Sequence, residues 1–155
     1  EPLNLIEIGC SAGVLLVFDT FAYDYGNQGA VALADAPFVL RGELQGGGPE
    51  LFIPRIGTRT GIDLHTIDAR SEEERRWLLS LCFPELRAEQ ERLAQALDVI
   101  AASDITMLEG DALQHIDAAL AATPDPVCVF HSACLFYWPQ EAKQALQDKL
   151  LAAGK

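Results

Sequence analysis

Apolar residues in this chain come in short blocks at two different spacings. Leu3, Leu5, Ile6 and Ile8 crowd together and stop at Gly9, the mark of a buried strand. Gly9-Cys10-Ser11-Ala12-Gly13 follows as a turn of small residues. Val14 to about Phe21 is apolar nearly all round, which predicts a buried helix. Gly61-Ile62-Asp63-Leu64 reads as a second core strand, very short and ending in an acid. Ile105 to Leu108 is a third, and Val127 to Phe130 a fourth.

Between the strands the spacing becomes helical. Ser71-Glu72-Glu73-Glu74 is a capping box that opens a helix through Trp77, Leu78 and Leu81. Leu86, Leu93, Leu97 and Ile100 share one face of the next helix, and Trp77, Leu93 and Leu97 are assigned to the core. Leu113, Ile116 and Leu120 face inward after Gly110-Asp111. Pro139 opens a last helix with Ala142, Leu146, Leu150 and Ala153 on its buried side.

The stretch 23–60 differs in texture and reads as an insertion. Tyr23-Asp24-Tyr25-Gly26-Asn27 is turn chemistry, and Phe38 to Leu44 contains β-formers. Gly46-Gly47-Gly48-Pro49 then breaks the chain before Leu51-Phe52-Ile53, which predicts a hairpin. Strand, glycine turn and helix open an α/β unit. Four short strands alternating with helices predict one α/β domain over 1–155, a mostly parallel sheet covered on both faces. The chain starts at Glu1 and stops where a helix would hand over to another strand, so a fragment of a longer protein is expected.

Composition narrows the classes. Half the residues are apolar and 22% are charged, which fits a packed core. The apolar runs, Val14 to Phe18 among them, are far too short to span a bilayer. A net charge of −12, with Arg75-Arg76 as the only basic pair, argues against a nucleic-acid partner. Cys10, Cys82, Cys128 and Cys134 form no metal-ligand spacing, so no metal and reduced thiols in a cytoplasmic protein are expected.

The residues with chemistry fall just after strands. Glu7 and Gly9 to Gly13 follow the first, Asp63 closes the second, Asp111 follows the third, and His131-Ser132 follow the fourth. Ligands of open parallel sheets bind outside the carboxyl ends of the strands. Small residues at 9–13 would let backbone N–H groups approach a ligand. Asp63 has two acceptor oxygens for the hydroxyls of a ribose, and Asp111 can accept from an exocyclic amine or cap the helix it precedes. Cys10 brings a thiol to the turn. Phe136-Tyr137-Trp138-Pro139 reads first as aromatic packing, with a substrate-pocket wall as the other reading.

Glu7-Ile8-Gly9-Cys10-Ser11-Ala12-Gly13, Asp63 and Gly110-Asp111-Ala112 resemble the motifs of class I S-adenosylmethionine-dependent methyltransferases. With Tyr23-Asp24-Tyr25-Gly26, Gly61-Ile62-Asp63-Leu64 and Val129-Phe130-His131-Ser132 added, the chain resembles the bacterial family called domain of unknown function 2332. That resemblance implies a three-layer Rossmann-like fold with core-strand order 3-2-1-4. It implies S-adenosylmethionine held by Glu7, Gly9, Cys10, Ser11, Gly13, Asp63, Leu64, Asp111, Ala112 and His131, and an unknown small-molecule methyl acceptor. The catalytic candidates are Tyr23, Asp24 and His131. Two departures stand out. Ser11 replaces the middle glycine of the turn, and Gly13 and Asp63 are fifty residues apart, against ~20 in comparable nucleotide folds.

Two other readings remain open. Gly9-Cys10-Ser11-Ala12-Gly13 is also a G-x-S-x-G, with Asp111 and His131 in the order of an α/β-hydrolase triad built on Ser11. The third reading is a methyltransferase scaffold without catalysis, kept for binding.

Overall fold

The structure is a computed structural model that describes residues 1–32, 35–46, 48 and 50–154. Leu3–Ile8 forms strand β1, with Leu5, Ile6 and Ile8 all buried. The turn runs into a 3-10 helix, Val14–Thr20, broken at Val17 (φ −110°, ψ 20°), where an α-helix was expected. Leu16, Val17 and Phe21 are buried there and Leu15 is exposed. Glycine at both ends of the turn and one exposed leucine were weaker signals than the apolar run that predicted a regular helix.

Three short strands follow: β2 (Ala22–Asp24), β3 (Ala30–Val31) and β4 (Val39–Arg41). They form a small sheet with β2 in the middle, antiparallel to β3 and parallel to β4. The hairpin expected across 46–49 is therefore corrected. Leu51 to Arg55 forms no strand, and β4 pairs with β2 instead. Gly47 and Pro49 of that expected turn lie outside the described residues. The physical reason is partner choice: β2 offers β4 a ready edge, whereas Leu51-Phe52-Ile53 is bounded by Pro54.

Ile56–Asp63 forms β5, longer than its apolar end predicted because Gly57 to Arg59 carries little hydrophobic pattern. Helices α1 (Glu72–Ser80) and α2 (Arg87–Ala102) come next. Ser71 Oγ accepts from the Glu74 N–H, as a cap should, but Glu74 returns its carboxylate to the Asp68 N–H and not to Ser71. Leu97 and Ile100 are buried, while Trp77 is 52% exposed and Leu86 44%, so neither belongs to the core as the spacing predicted. Strand β6 (Thr106–Glu109), helix α3 (Ala112–Ala122), strand β7 (Val127–His131), a 3-10 turn (Cys134–Tyr137) and helix α4 (Gln140–Ala153) complete the chain.

The central sheet has the order β6-β5-β1-β7, and all its pairings are parallel. This is third, second, first, fourth among the core strands read from the sequence. Each connection is long, which parallel pairing requires. One face of the sheet presents Ile6, Ile8 and Ile62 to Ala112, Ile116 and Ala119 of α3 and to Leu146 of α4. On the other side of β1, Leu5 and Glu7 are buried as well.

By contacts the chain divides into two compact units. The first holds Glu1–Leu16, Ile56–Ile67 and the segment from Asp104 onward, which carry the central sheet, α3 and α4. The second holds Val17–Arg55 and Asp68–Ser103. Among the described residues no helix is long and apolar enough to cross a membrane.

Candidate functional site

Parallel strands end together, so the tips of β1, β5 and β6 meet in the first unit. There Gly9, Asp63, Leu64, Gly110, Asp111 and Ala112 line one cavity of about 480 Å³, within the usual range for small-molecule sites. Its floor is Ile8 and Ile62, and its far wall is Cys134, Tyr137, Trp138, Pro139 and Ala142. Tyr137, 81% exposed, lines the pocket with Trp138 and Pro139, where packing was the first reading, while Phe136 does not. The signal for that wall was its place just past a strand end.

The turn itself closes inward. Gly9 and Cys10 N–H groups donate to the Ile62 carbonyl (2.8 and 3.3 Å), and Gly13 N–H donates to the Cys10 carbonyl (2.7 Å). Ser11 N–H donates to Asp63 Oδ2 at 2.7 Å, and the Ser11 carbonyl accepts from Ile67 N–H at 3.1 Å. These bonds hold Ser11 at φ +52°, a left-handed conformation that a side chain makes costly. The N–H groups of Gly9, Cys10, Ser11 and Gly13 are thus committed within the fold and not presented to a ligand. Gly9 is needed for another reason: a Cβ there would lie 2.4 Å from Cys134 Cβ.

Asp63 is the hinge of the constellation. Oδ2 takes the Ser11 N–H and Oδ1 takes the His65 N–H at 3.1 Å, while its own carbonyl accepts from Gly110 N–H at 2.8 Å. Each carboxylate oxygen retains a second acceptor site. Asp111 Oδ1 caps α3 through Leu113 N–H at 2.9 Å, the capping role read from sequence. Glu109, which sequence reasoning missed, gathers Thr66 N–H at 3.0 Å and faces His65 Nδ1 at 3.2 Å.

Glu7, near the end of β1, and Cys10, within the turn, do not line the cavity. Glu7 is 2% exposed, its Oε2 has no hydrogen-bond partner among the described residues, and burial, then Asp63, push its pKa up to about 8. Cys10 packs over Gly61, where a Cβ would meet its Sγ at 2.6 Å. Burial, then Glu7 and Asp63, push the Cys10 thiol up to about 12, so it stays an uncharged filler. Cys134 Sγ donates to the Ile8 carbonyl at 3.0 Å, and burial raises its pKa too.

The remaining candidates have other engagements. His131 ends β7 exposed, with Nδ1 donating to the Ser132 carbonyl at 2.7 Å. No hydrogen bond joins Ser11, Asp111 and His131 among the described residues. Tyr23 donates its hydroxyl to the Phe18 carbonyl at 2.7 Å, and burial, then Tyr25 and Asp19, push it up to about 12. Asp24 Oδ1 accepts from Gly26 N–H at 2.9 Å and Oδ2 pairs with Arg41 at 3.6 Å. Among the described residues no three His, Cys, Asp or Glu side chains cluster as metal ligands.

A search of curated proteins and a search of solved structures each return no match. A family model does match, over residues 1–155, and its description is an uncharacterized protein conserved in bacteria, domain of unknown function 2332. The match takes in β1 and its turn, the tip of β5, the start of α3 and the end of β7, so this chain belongs to that family.

Proposed function

We propose that the cavity binds S-adenosylmethionine and that the chain is a methyltransferase-like domain acting on a small molecule. The observation that carries this is the convergence of Gly9, Asp63-Leu64 and Asp111-Ala112, from three strand ends, on one cavity. The donor set suits an adenosyl group. Asp63 and Asp111 retain acceptor sites for hydroxyls and an amine, while Ile8, Ile62, Leu64 and Leu113 offer apolar faces to a flat ring. Among the described residues no Lys or Arg lines the cavity, so a phosphate-bearing dinucleotide would meet Asp63 and Asp111 with no basic partner there.

Methyl transfer needs alignment above all, and a base only where the acceptor must lose a proton. Tyr23, Asp24 and His131 are engaged elsewhere, and this reading assigns no base. Titration calorimetry with S-adenosylmethionine is expected to give saturable heat. Asp63→Ala is expected to weaken binding by about tenfold or more, the worth of a hydrogen bond to a charged group. Because Asp63 also holds the Ser11 N–H, Asp111→Ala serves as a second variant, with circular dichroism confirming the fold. No heat from the folded wild-type chain overturns the reading. Binding without turnover across a broad acceptor panel selects the non-catalytic scaffold instead.

A further inference from the structure

We propose that Glu7 sets the charge preference of this site. Its carboxyl carries a proton in the ligand-free protein and releases it to solvent when a cation settles against Asp63. The inference rests on the reading of the cavity as an S-adenosylmethionine site. It adds that the sulfonium ligand is held more tightly than its neutral thioether counterpart by an amount that grows with pH.

Two carboxyl groups share the tips of β1 and β5 but have unequal donors. Asp63 accepts two backbone N–H groups, from Ser11 and His65. Glu7 is 2% exposed and its Oε2 has no donor among the described residues, so a charge there would go without solvation. The neighbours supply no remedy. In the pairing register Glu7 faces Gly61 of β5 and Phe130 of β7. The nearby thiols, Cys10 and Cys134, are both raised by burial and stay neutral. Arg59, two residues before Gly61, gives Nη1 to the Leu16 carbonyl at 2.7 Å and is not among the groups that set the Glu7 carboxyl. The two acids sit in unequal surroundings, and Glu7 is the one that holds its proton.

Part of what keeps the Glu7 proton in place is the charge on Asp63. A cation beside Asp63 offsets that charge, the Glu7 carboxyl becomes a stronger acid, and its proton passes to bulk water. By linkage the cation then binds better as pH rises, with a plateau above the Glu7 titration. The gain is about tenfold for each unit by which the cation lowers the Glu7 pKa. A neutral thioether shares the amino and carboxyl groups of the sulfonium compound but offers no such offset.

Calorimetry at about pH 8 in two buffers of different ionisation enthalpy counts the protons released. With S-adenosylmethionine the wild-type chain is expected to release a fraction of a proton and to gain affinity from about pH 6 to about pH 9. The thioether, S-adenosylhomocysteine, is expected to show neither beyond its own ionisation, and Glu7→Gln to abolish both. Saturable binding of the sulfonium compound with no excess proton release overturns this inference and leaves the cavity reading intact. Absence of binding overturns the cavity reading. The Glu7 proton is then read separately, from the carboxyl 13C titration of the ligand-free chain. A midpoint near 8 that falls in Asp63→Asn sustains the coupled proton, and a midpoint near the ordinary 4.5 overturns it.

Discussion

Replacing Glu7 by glutamine should make the protein relatively more stable as the solution becomes alkaline. The folded-state pKa is raised from 4.5 to about 8 by burial and by Asp63. Between those values the native chain holds a proton that the unfolded chain has lost, so stability falls as pH rises through the window and levels off above it. The slope reaches at most about 1.4 kcal/mol per pH unit for one group. Urea unfolding of wild type and Glu7→Gln from about pH 5 to about pH 9 should show the difference widening in favour of glutamine. Curves that stay parallel would mean that Glu7 ionises normally. The sequence marked Glu7 as an acid at a strand end but gave no sign of its protonation, because donors arrive from elsewhere in the chain. Ser11 is similar: its identity was legible, but the Asp63 carboxylate and Ile67 amide that hold it left-handed come from β5 and the segment after it.

Elements were legible in proportion to their burial. The four core strands and the helices α3 and α4 beside the site follow from apolar blocks, and Ile6, Ile8, Ile62, Ile116 and Leu146 are where those blocks put them. In the segment 23–60 the strand within Phe38 to Leu44 was legible but its pairing was not, because short strands there bury little and depend on which edge is free. Asn4 also escaped, as a polar residue inside an apolar strand. Buried on β1, it donates Nδ2 to the Pro124 carbonyl (2.8 Å) and accepts on Oδ1 from Thr58 N–H (2.8 Å) and Oγ (3.0 Å). It thereby ties β1 to β5 and to the approach of β7. Asn4→Ala leaves those groups unpaired and should cost about 1–3 kcal/mol. Gly57→Ala would put a Cβ 2.4 Å from Asn4 Oδ1. In the Asn4→Ala background that clash is gone, so the double variant should lose less than the two single losses combined. Additive losses in denaturant unfolding would show that Asn4 does not set the strand spacing.

At the scale of the whole molecule, charge is the term that no single contact balances. Eleven Lys and Arg face twenty-three Asp and Glu, a net charge of −12. Ion pairs do form: Arg75–Asp98 at 2.6 Å, Arg76–Glu72 at 2.9 Å, Arg92–Glu89 at 2.8 Å, and Lys149–Asp117. Each has at least one well-exposed partner, and such pairs are worth about 0–1 kcal/mol. The remaining acids repel one another over distances that salt controls. The Debye length falls from about 30 Å at 0.01 M to about 8 Å at 0.15 M. Salt therefore weakens both the few attractions and the many repulsions, and the excess of acids decides the sign. The melting temperature at about pH 7.5 should rise when sodium chloride is added across that range. The bound cation faces the opposite effect, because Asp63 and Asp111 at the cavity attract it through the same screened field. Salt should thus raise the melting temperature of the ligand-free chain and lower the affinity for S-adenosylmethionine. If the melting temperature falls instead, the ion pairs outweigh the net repulsion, and the unpaired carboxylates lie farther apart than a surplus of twelve negative charges requires.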